Sequence, residues 1–238
     1  MRRNSHVNSR RKMGRKIGKD FRGFVGIWKP RGPSSYDVIR ELKHRVIEKK
    51  IGHAGTLDPK ASGVIVVAVG REATTRIAEE VAKEKEYRAS VRLGAKSSTD
   101  DGEGEKTFVS KRHPPLVDIR SALDSLVGIT MQHPPAFSAL KVKGMAAYAR
   151  ARRGERVELA ARPALVKELE LIAYRWPYLK FRIVTGPGVY IRAIARDIGE
   201  KLRVGGYLAS LERTRVGEFT KKNAATLAIR YKTPKRIR

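Results

Sequence analysis

Few side chains in this sequence are equipped for chemistry, and their spacing removes several options. Cysteine is absent, so neither a disulfide framework nor a thiolate zinc site can form. The five histidines are scattered with no helical His-x-x-x-His pairing, which leaves a histidine metal site with little support. The acids Asp100, Asp101, Glu103 and Glu105 cluster, but they miss the calcium-loop spacing and read as a polar hairpin turn. No glycine loop ends in Gly-Lys-Ser or Gly-Lys-Thr, so a phosphate cradle is not encoded. Gly186-Pro187-Gly188 lacks the third glycine of a dinucleotide fingerprint, and its proline removes a backbone donor. A metal site and a bound nucleotide therefore have little support. What remains is Asp58, the lone carboxylate of GHAGTLDPKASG, residues 52–63. Pro59 forces it out of the helical region and Gly55 lets the backbone turn sharply, so the carboxylate is held on a loop. Loops at strand ends are where scaffolds present reactive groups, although an Asp-Pro turn start would give the same letters.

The elements that must position this loop follow from periodicity. Ser34-Ser35-Tyr36-Asp37 has the form of a capping box, and Val38, Ile39, Leu42 and Val46 then recur at helical spacing. Val64 to Val69 is continuously apolar and rich in β-branched residues, the pattern of a strand buried on both faces. Ile77, Ala78, Val81 and Ala82 predict a short helix, and Glu86 to Leu93 alternates as a strand with one wet face. Ile119, Leu123 and Leu126 predict a helix closed by Gly128; Leu179, Phe181 and Ile183 predict a strand. Ile191, Ile194, Ala195, Ile198 and Leu202 mark the clearest amphipathic helix. No strict βαβα beat and no internal repeat is present, so the expected class is α+β with a mixed sheet.

The 238 residues suit one domain with tails, and Lys plus Arg outnumber Asp plus Glu by 52 to 24, for a formal charge of +28. Such self-repulsion is best tolerated beside a polyanion, which puts nucleic acid first among partners. Residues 1–22 carry nine basic residues against Asp20 and predict a flexible basic arm; from Phe219 onward seven basic residues and no acid predict a basic tail over 220–238. Either could lie along phosphates or serve only solubility. The longest aliphatic run, Val64 to Val69, is far shorter than the roughly 18 residues of a bilayer span, and no secretory signal is visible. A cytoplasmic location is expected; a basic, serine-containing transit peptide also fits the start, although Val7, Met13 and Ile17 form no convincing apolar face.

Five segments occur in a telling order: IWKPRGPSS at 27–35, GHAGTLDPKASGVIVVAVGREATT at 52–75, KEYRASVRLGAKSSTDDGEG at 85–104, QHPPAFSALKVKGMAAYARARRG at 132–154 and GVYIRAIARDIGEKL at 188–202. Together they resemble the TruB family of tRNA pseudouridine synthases, which also takes in the guide-RNA enzyme subunit Cbf5/dyskerin. The resemblance runs from about Phe24 to Phe219, and GTLDP is its most specific part.

The resemblance implies the pseudouridine synthase fold over 23–219, with an RNA-clamping insertion at 132–154. It also implies a cofactor-free reaction in which a T-loop uridine of tRNA is flipped out, its glycosidic bond is cleaved, the uracil rotates, and C5 rejoins the ribose. Asp58 matches the nucleophile. A carboxylate enclosed with a base would take up a proton unless a cation stood near, and the resemblance nominates Arg192 as that cation. Arg192 and Arg196 share a helical face offset from the apolar stripe, as that role requires. Tyr87 matches the tyrosine that stacks on the target base and is thought to take the C5 proton, although alternation alone makes it a core residue. His53 matches a histidine that holds the flipped nucleotide, Leu211 a pocket leucine and Tyr190 a pocket wall; a turn histidine is the alternative reading of the first, and plain core packing an equally natural reading of the second. Lys29 and Pro30 belong to a motif that buttresses the substrate pocket. Lys141, Lys143, Arg150, Arg152 and Arg153 give the insertion charge for phosphates, with recognition of the T arm resting on its shape.

Trp28 stands where the family usually has an acid, Gly186-Pro187 replaces a more polar pair, and Glu212 replaces a common arginine. About twenty residues follow Phe219, too few for the C-terminal RNA-binding (PUA-type) domain of many relatives. The expectation is a monomeric tRNA enzyme needing no protein partner. A non-catalytic RNA-folding chaperone and a guide-RNA-dependent subunit are the alternatives.

Overall fold

The computed structural model describes residues 17–231 except 139, 143 and 156. In chain order the first elements are β1 (Gly23–Lys29), α1 (Ser35–Lys43), β2 (Ile51–Ala54), β3 (Ser62–Val69), α2 (Arg71–Thr75), α3 (Ile77–Ala82) and β4 (Lys85–Leu93). The middle of the chain adds a small hairpin, β5 (Ala95–Ser97) with β6 (Lys106–Phe108), then α4 (Leu116–Asp124) and β7 (Gly128–Gln132). A second hairpin, β8 (Lys141–Val142) with β9 (Met145–Ala146), leads into α5 (Ala147–Ala151). The last third supplies β10 (Arg162–Arg175), β11 (Tyr178–Thr185), α6 (Ile191–Lys201), β12 (Gly206–Val216), β13 (Phe219–Thr220) and β14 (Ala225–Thr226).

One sheet organises the chain, in the order β14-β1-β3-β12-β4-β11-β10-β7, with β2 on β3 and β13 on β12. Most neighbours are antiparallel; β1 with β14 and β3 with β12 run parallel. This is the expected α+β architecture with a mixed sheet. The two larger cores form because helices cover different parts of it, and a small third one gathers Ala54, Val66 and Val216. Tyr87, Ala89, Val91 and Phe181 pack with Ile119 and Leu123 of α4 and Ile194 and Ile198 of α6. Val25, Ile27, Ile65 and Val67 pack with Val38, Ile39 and Leu42 of α1. The apolar run of β3 is buried on both faces as its sequence requires, with every residue from Val64 to Val69 at 1% exposure or less.

A local signal explains the start of α1. Ser34 caps α1: its side chain accepts from the Asp37 backbone N–H, while Asp37 accepts from the Ser34 N–H at 2.8 Å. Helix α1 ends at Lys43, earlier than the periodicity implies, and Val46 is buried beyond it in the following turn.

Two sequence expectations need correction. The stretch after Phe219 is no free tail up to Leu227: β14 pairs with β1, and Ala224, Ala225 and Leu227 are buried. At the other end Ile17 and Phe21 pack against the α1 core, and the Ile47 N–H donates to the Lys19 carbonyl at 2.9 Å. A few apolar residues outweigh a basic composition once they find a core. The remainder of the proposed arm, residues 1–16, and of the tail, 232–238, lies outside the described residues.

Candidate active site

Asp58 lies on the loop joining β2 to β3, and nearly every residue of that loop is tied down. The Arg213 guanidinium donates to the carbonyls of Val64 at 2.7 Å, Gly55 at 3.1 Å and Thr56 at 3.5 Å. Ser35 Oγ accepts from the Leu57 N–H at 2.9 Å and donates to the Leu57 carbonyl at 3.0 Å. Gly32 N–H donates to the Pro59 carbonyl at 2.8 Å, and Lys29 Nζ donates to Ala61 at 2.7 Å and Pro33 at 2.8 Å. The Ala61 N–H closes a turn on the Asp58 carbonyl at 3.0 Å. A carboxylate so mounted has little freedom to lose when it reacts.

Arg192, on the first turn of α6, brings its Nε to 3.3 Å from Asp58 Oδ2. Its other nitrogens are occupied: one donates to the Phe137 carbonyl at 2.8 Å, and one to the Thr99 carbonyl at 3.4 Å with Asp101 Oδ2 at 3.7 Å. The arginine side chain is 9% exposed and that of Asp58 45%, so the carboxylate is gripped from within and open on its outer side. Lysine lacks the planar fork whose separate nitrogens reach these partners in different directions, so its single ammonium cannot hold all of them in this geometry. We therefore expect Arg192→Lys to lower kcat about a hundredfold while leaving the melting temperature within a few degrees, a split that single-turnover kinetics and thermal unfolding check.

The acidic turn is a brace. Asp101 faces Arg192, while Asp100 Oδ2 accepts from Arg196 at 2.8 Å, whose other amine donates to the His133 carbonyl at 2.9 Å. Among the described residues no group of His, Asp and Glu gathers as metal ligands.

Three cations under the loop are buried without a carboxylate within ion-pair distance among the described residues: Lys29 at 0%, Arg213 at 2% and Lys85 at 6% exposure. Their protons go to backbone carbonyls, in the case of Lys85 those of Lys83 at 2.6 Å and Val81 at 2.8 Å. Burial, set against the attraction of Asp58 for Lys29 and reinforced by Arg213 for both, lowers each lysine from 10.5 to about 8. Between about 8 and 10.5 the unfolded chain thus holds protons that the folded chain has released, so linkage makes the fold more stable as pH rises through that window. Lys85→Met should remove its share of this slope, read from denaturant unfolding at a series of pH values.

The remaining sequence-nominated residues divide. Tyr87 is 6% exposed on β4; burial pushes its phenol above the usual range, Arg213 beside it works the other way, and the Asp58 charge adds a smaller push upward. His53 is half-buried on β2, and burial together with Arg213 lowers its pKa, favouring the neutral ring; its Nδ1 is buried without a hydrogen-bond partner. Tyr190 caps α6, its backbone clamped at 2.8 and 3.2 Å by the buried Gln132 side chain, and Arg162 lies 5.1 Å over its ring. Leu211 is half-buried against the core that holds Tyr87. Lys29 has no exposed surface: it braces the loop and has no face to offer a substrate.

In the insertion, Lys141, Arg152 and Arg153 are exposed, Arg152 lies 5.6 Å over the Tyr148 ring, and Arg150 is paired with Glu155 at 2.6 Å. Lys143 lies outside the described residues. Sequence reasoning missed Arg213, Ser35, Gln132 and Asp101. The signal for Arg213 was a charged residue two positions from Leu211, on the inward phase of a strand.

With this geometry in place the comparisons are decisive. The family description "TruB family pseudouridylate synthase (N terminal domain)" matches residues 43–191, and "tRNA pseudouridylate synthase B C-terminal domain" matches 192–229. The chain belongs to the TruB family. Among its TruB relatives, tRNA pseudouridine synthase B of Dinoroseobacter shibae is 44% identical over 90% of this chain and 70% of its own. That of Corynebacterium glutamicum is 42% identical over 89% and 73%. Among solved structures, a Cbf5-Nop10-Gar1 complex aligns with TM-score 0.66 at 29% identity, covering 86% of this chain and 52% of that one. An H/ACA ribonucleoprotein bound to a substrate RNA containing 2′-deoxyuridine gives 0.63 at 26%, covering 86% and 50%. The chain thus spans about half the length of those two solved TruB-type chains.

Proposed function

We propose that this TruB chain isomerises the T-loop uridine of tRNA to pseudouridine, acting in the cytoplasm on folded tRNA without guide RNA, protein partner or cofactor. The observation that carries the reading is a rigidly mounted Asp58 with its outer side open and its inner oxygen 3.3 Å from the enclosed Arg192. A flipped uridine meets the carboxylate there. The C1′–N1 bond breaks, the uracil turns, C5 bonds to C1′, and the C5 proton leaves while N1 gains one, so no atom is gained or lost overall. Arg192 keeps Asp58 ionised and aimed. Tyr87 rests as a neutral phenol; to take the C5 proton it first gives up its own, and the Arg213 charge beside it stabilises the phenolate that then accepts the C5 proton. His53, Tyr190 and Leu211 border the same pocket; Lys141, Arg150, Arg152 and Arg153 hold phosphates of the T arm. The test is incubation of purified protein with unmodified tRNA transcript alone, followed by chemical mapping of pseudouridine. Modification confined to the T loop supports the reading; binding with no modification would leave a chaperone, and modification only after a guide RNA is added would leave a ribonucleoprotein subunit.

A further inference from the structure

The cations around Asp58 differ in what they have left to give. Lys29, Lys85 and Arg213 are buried and saturated by backbone carbonyls, and Arg192 is spent on Asp58, Asp101 and two carbonyls. Lys60 is the contrast. It stands two residues after Asp58 in the same turn, its side chain is 54% exposed, and its partners are at the outer limit of contact: Glu103 at 3.5 Å and the Gly102 carbonyl at 3.5 Å. Glu103 is itself 53% exposed and sits on the acidic turn whose Asp101 faces Arg192, so Lys60 bridges the two loops that flank the open side of the carboxylate.

We propose that Lys60 grips a phosphate flanking the everted nucleotide and that Glu103 competes with the RNA for it. This rests on the function proposed above. When C1′ of the flipped sugar meets Asp58, the phosphates on either side are a few bonds away, at the rim where a flexible lysine stem mounted in the same turn reaches them. Exchange is cheap, because an exposed lysine-carboxylate pair is worth little in water, whereas a backbone phosphodiester, though no more charged than the carboxylate, releases its condensed counterions. The contact positions the nucleotide without reading its base.

Binding of an unmodified T-arm hairpin in the Asp58→Asn background, where turnover is removed, tests this across a series of potassium chloride concentrations. Lys60→Gln should weaken binding about three- to tenfold and flatten the salt slope by about 0.7 to 0.9. Glu103→Gln should act in the opposite direction, tightening binding about twofold by freeing Lys60. In the active enzyme both changes should fall on KM and not on kcat. An unchanged affinity and salt slope in Lys60→Gln, or weaker binding in Glu103→Gln, would overturn the proposal; the second pattern is what a merely structural bridge would give. If the wild-type chain binds the hairpin yet forms no pseudouridine, the functional reading fails, while these binding measurements still decide the role of Lys60.

Discussion

Asp58→Asn should cut pseudouridine formation by at least about ten-thousandfold while leaving tRNA affinity within a few fold of wild type. Asparagine has nearly the same shape, so the loop pinned by Arg213, Ser35 and Lys29 has no reason to move. What disappears is the negative charge opposite Arg192, and with it the carboxylate that the proposed reaction uses. Affinity depends on phosphates, which the substitution does not touch. Mapping the T loop after single-turnover incubation separates the two effects. A variant that isomerises at more than about a hundredth of the parental rate would remove Asp58 from the chemistry.

Gly63→Ala should be at least as damaging, through the fold. Gly63 has φ +130°, a conformation that L side chains rarely adopt, and it lies opposite Arg213 where β3 and β12 run parallel. A Cβ built there would stand 2.2 Å from the Arg213 carbonyl oxygen and 2.5 Å from its nitrogen, both of them backbone atoms. Neither strand can yield without disturbing Arg213, whose guanidinium holds Gly55 and Thr56. We expect a loss of more than about 3 kcal/mol, read as a fall in denaturant midpoint, with activity lost in parallel. Gly63→Ala with unchanged stability would mean that the two strands can part freely.

How much of this was legible beforehand depended on how each segment earns its place. Helices α1 and α6 and strand β3 were readable because their side-chain periodicity and their burial coincide. Strand β12 was not. It carries Glu212, Arg213 and Arg215 in a central position of the sheet, and a buried arginine satisfied by carbonyls leaves no trace in a hydrophobic pattern. The docked residues near both ends were hidden for a related reason: counting charge overlooks a few apolar side chains that find a neighbour from the far end of the sequence, as Ala225 does beside Ile27. In the site, the nucleophile and its arginine were visible as types in context. Their supports, Ser35, Gln132 and Arg213, act through backbone groups, which the letters do not display.

The Arg213 tether spans 149 residues, from Val64 to a strand near the end of the chain. Long-range contacts of this kind close late, because loop entropy must be overcome before they repay it. During synthesis the Asp58 loop therefore emerges long before its anchor and stays unset until β12 has left the ribosome and threaded between β3 and β4. Nascent chains truncated before residue 206 would lack the strand that sets the Asp58 loop, so competence to modify RNA arrives only after β12 has been made.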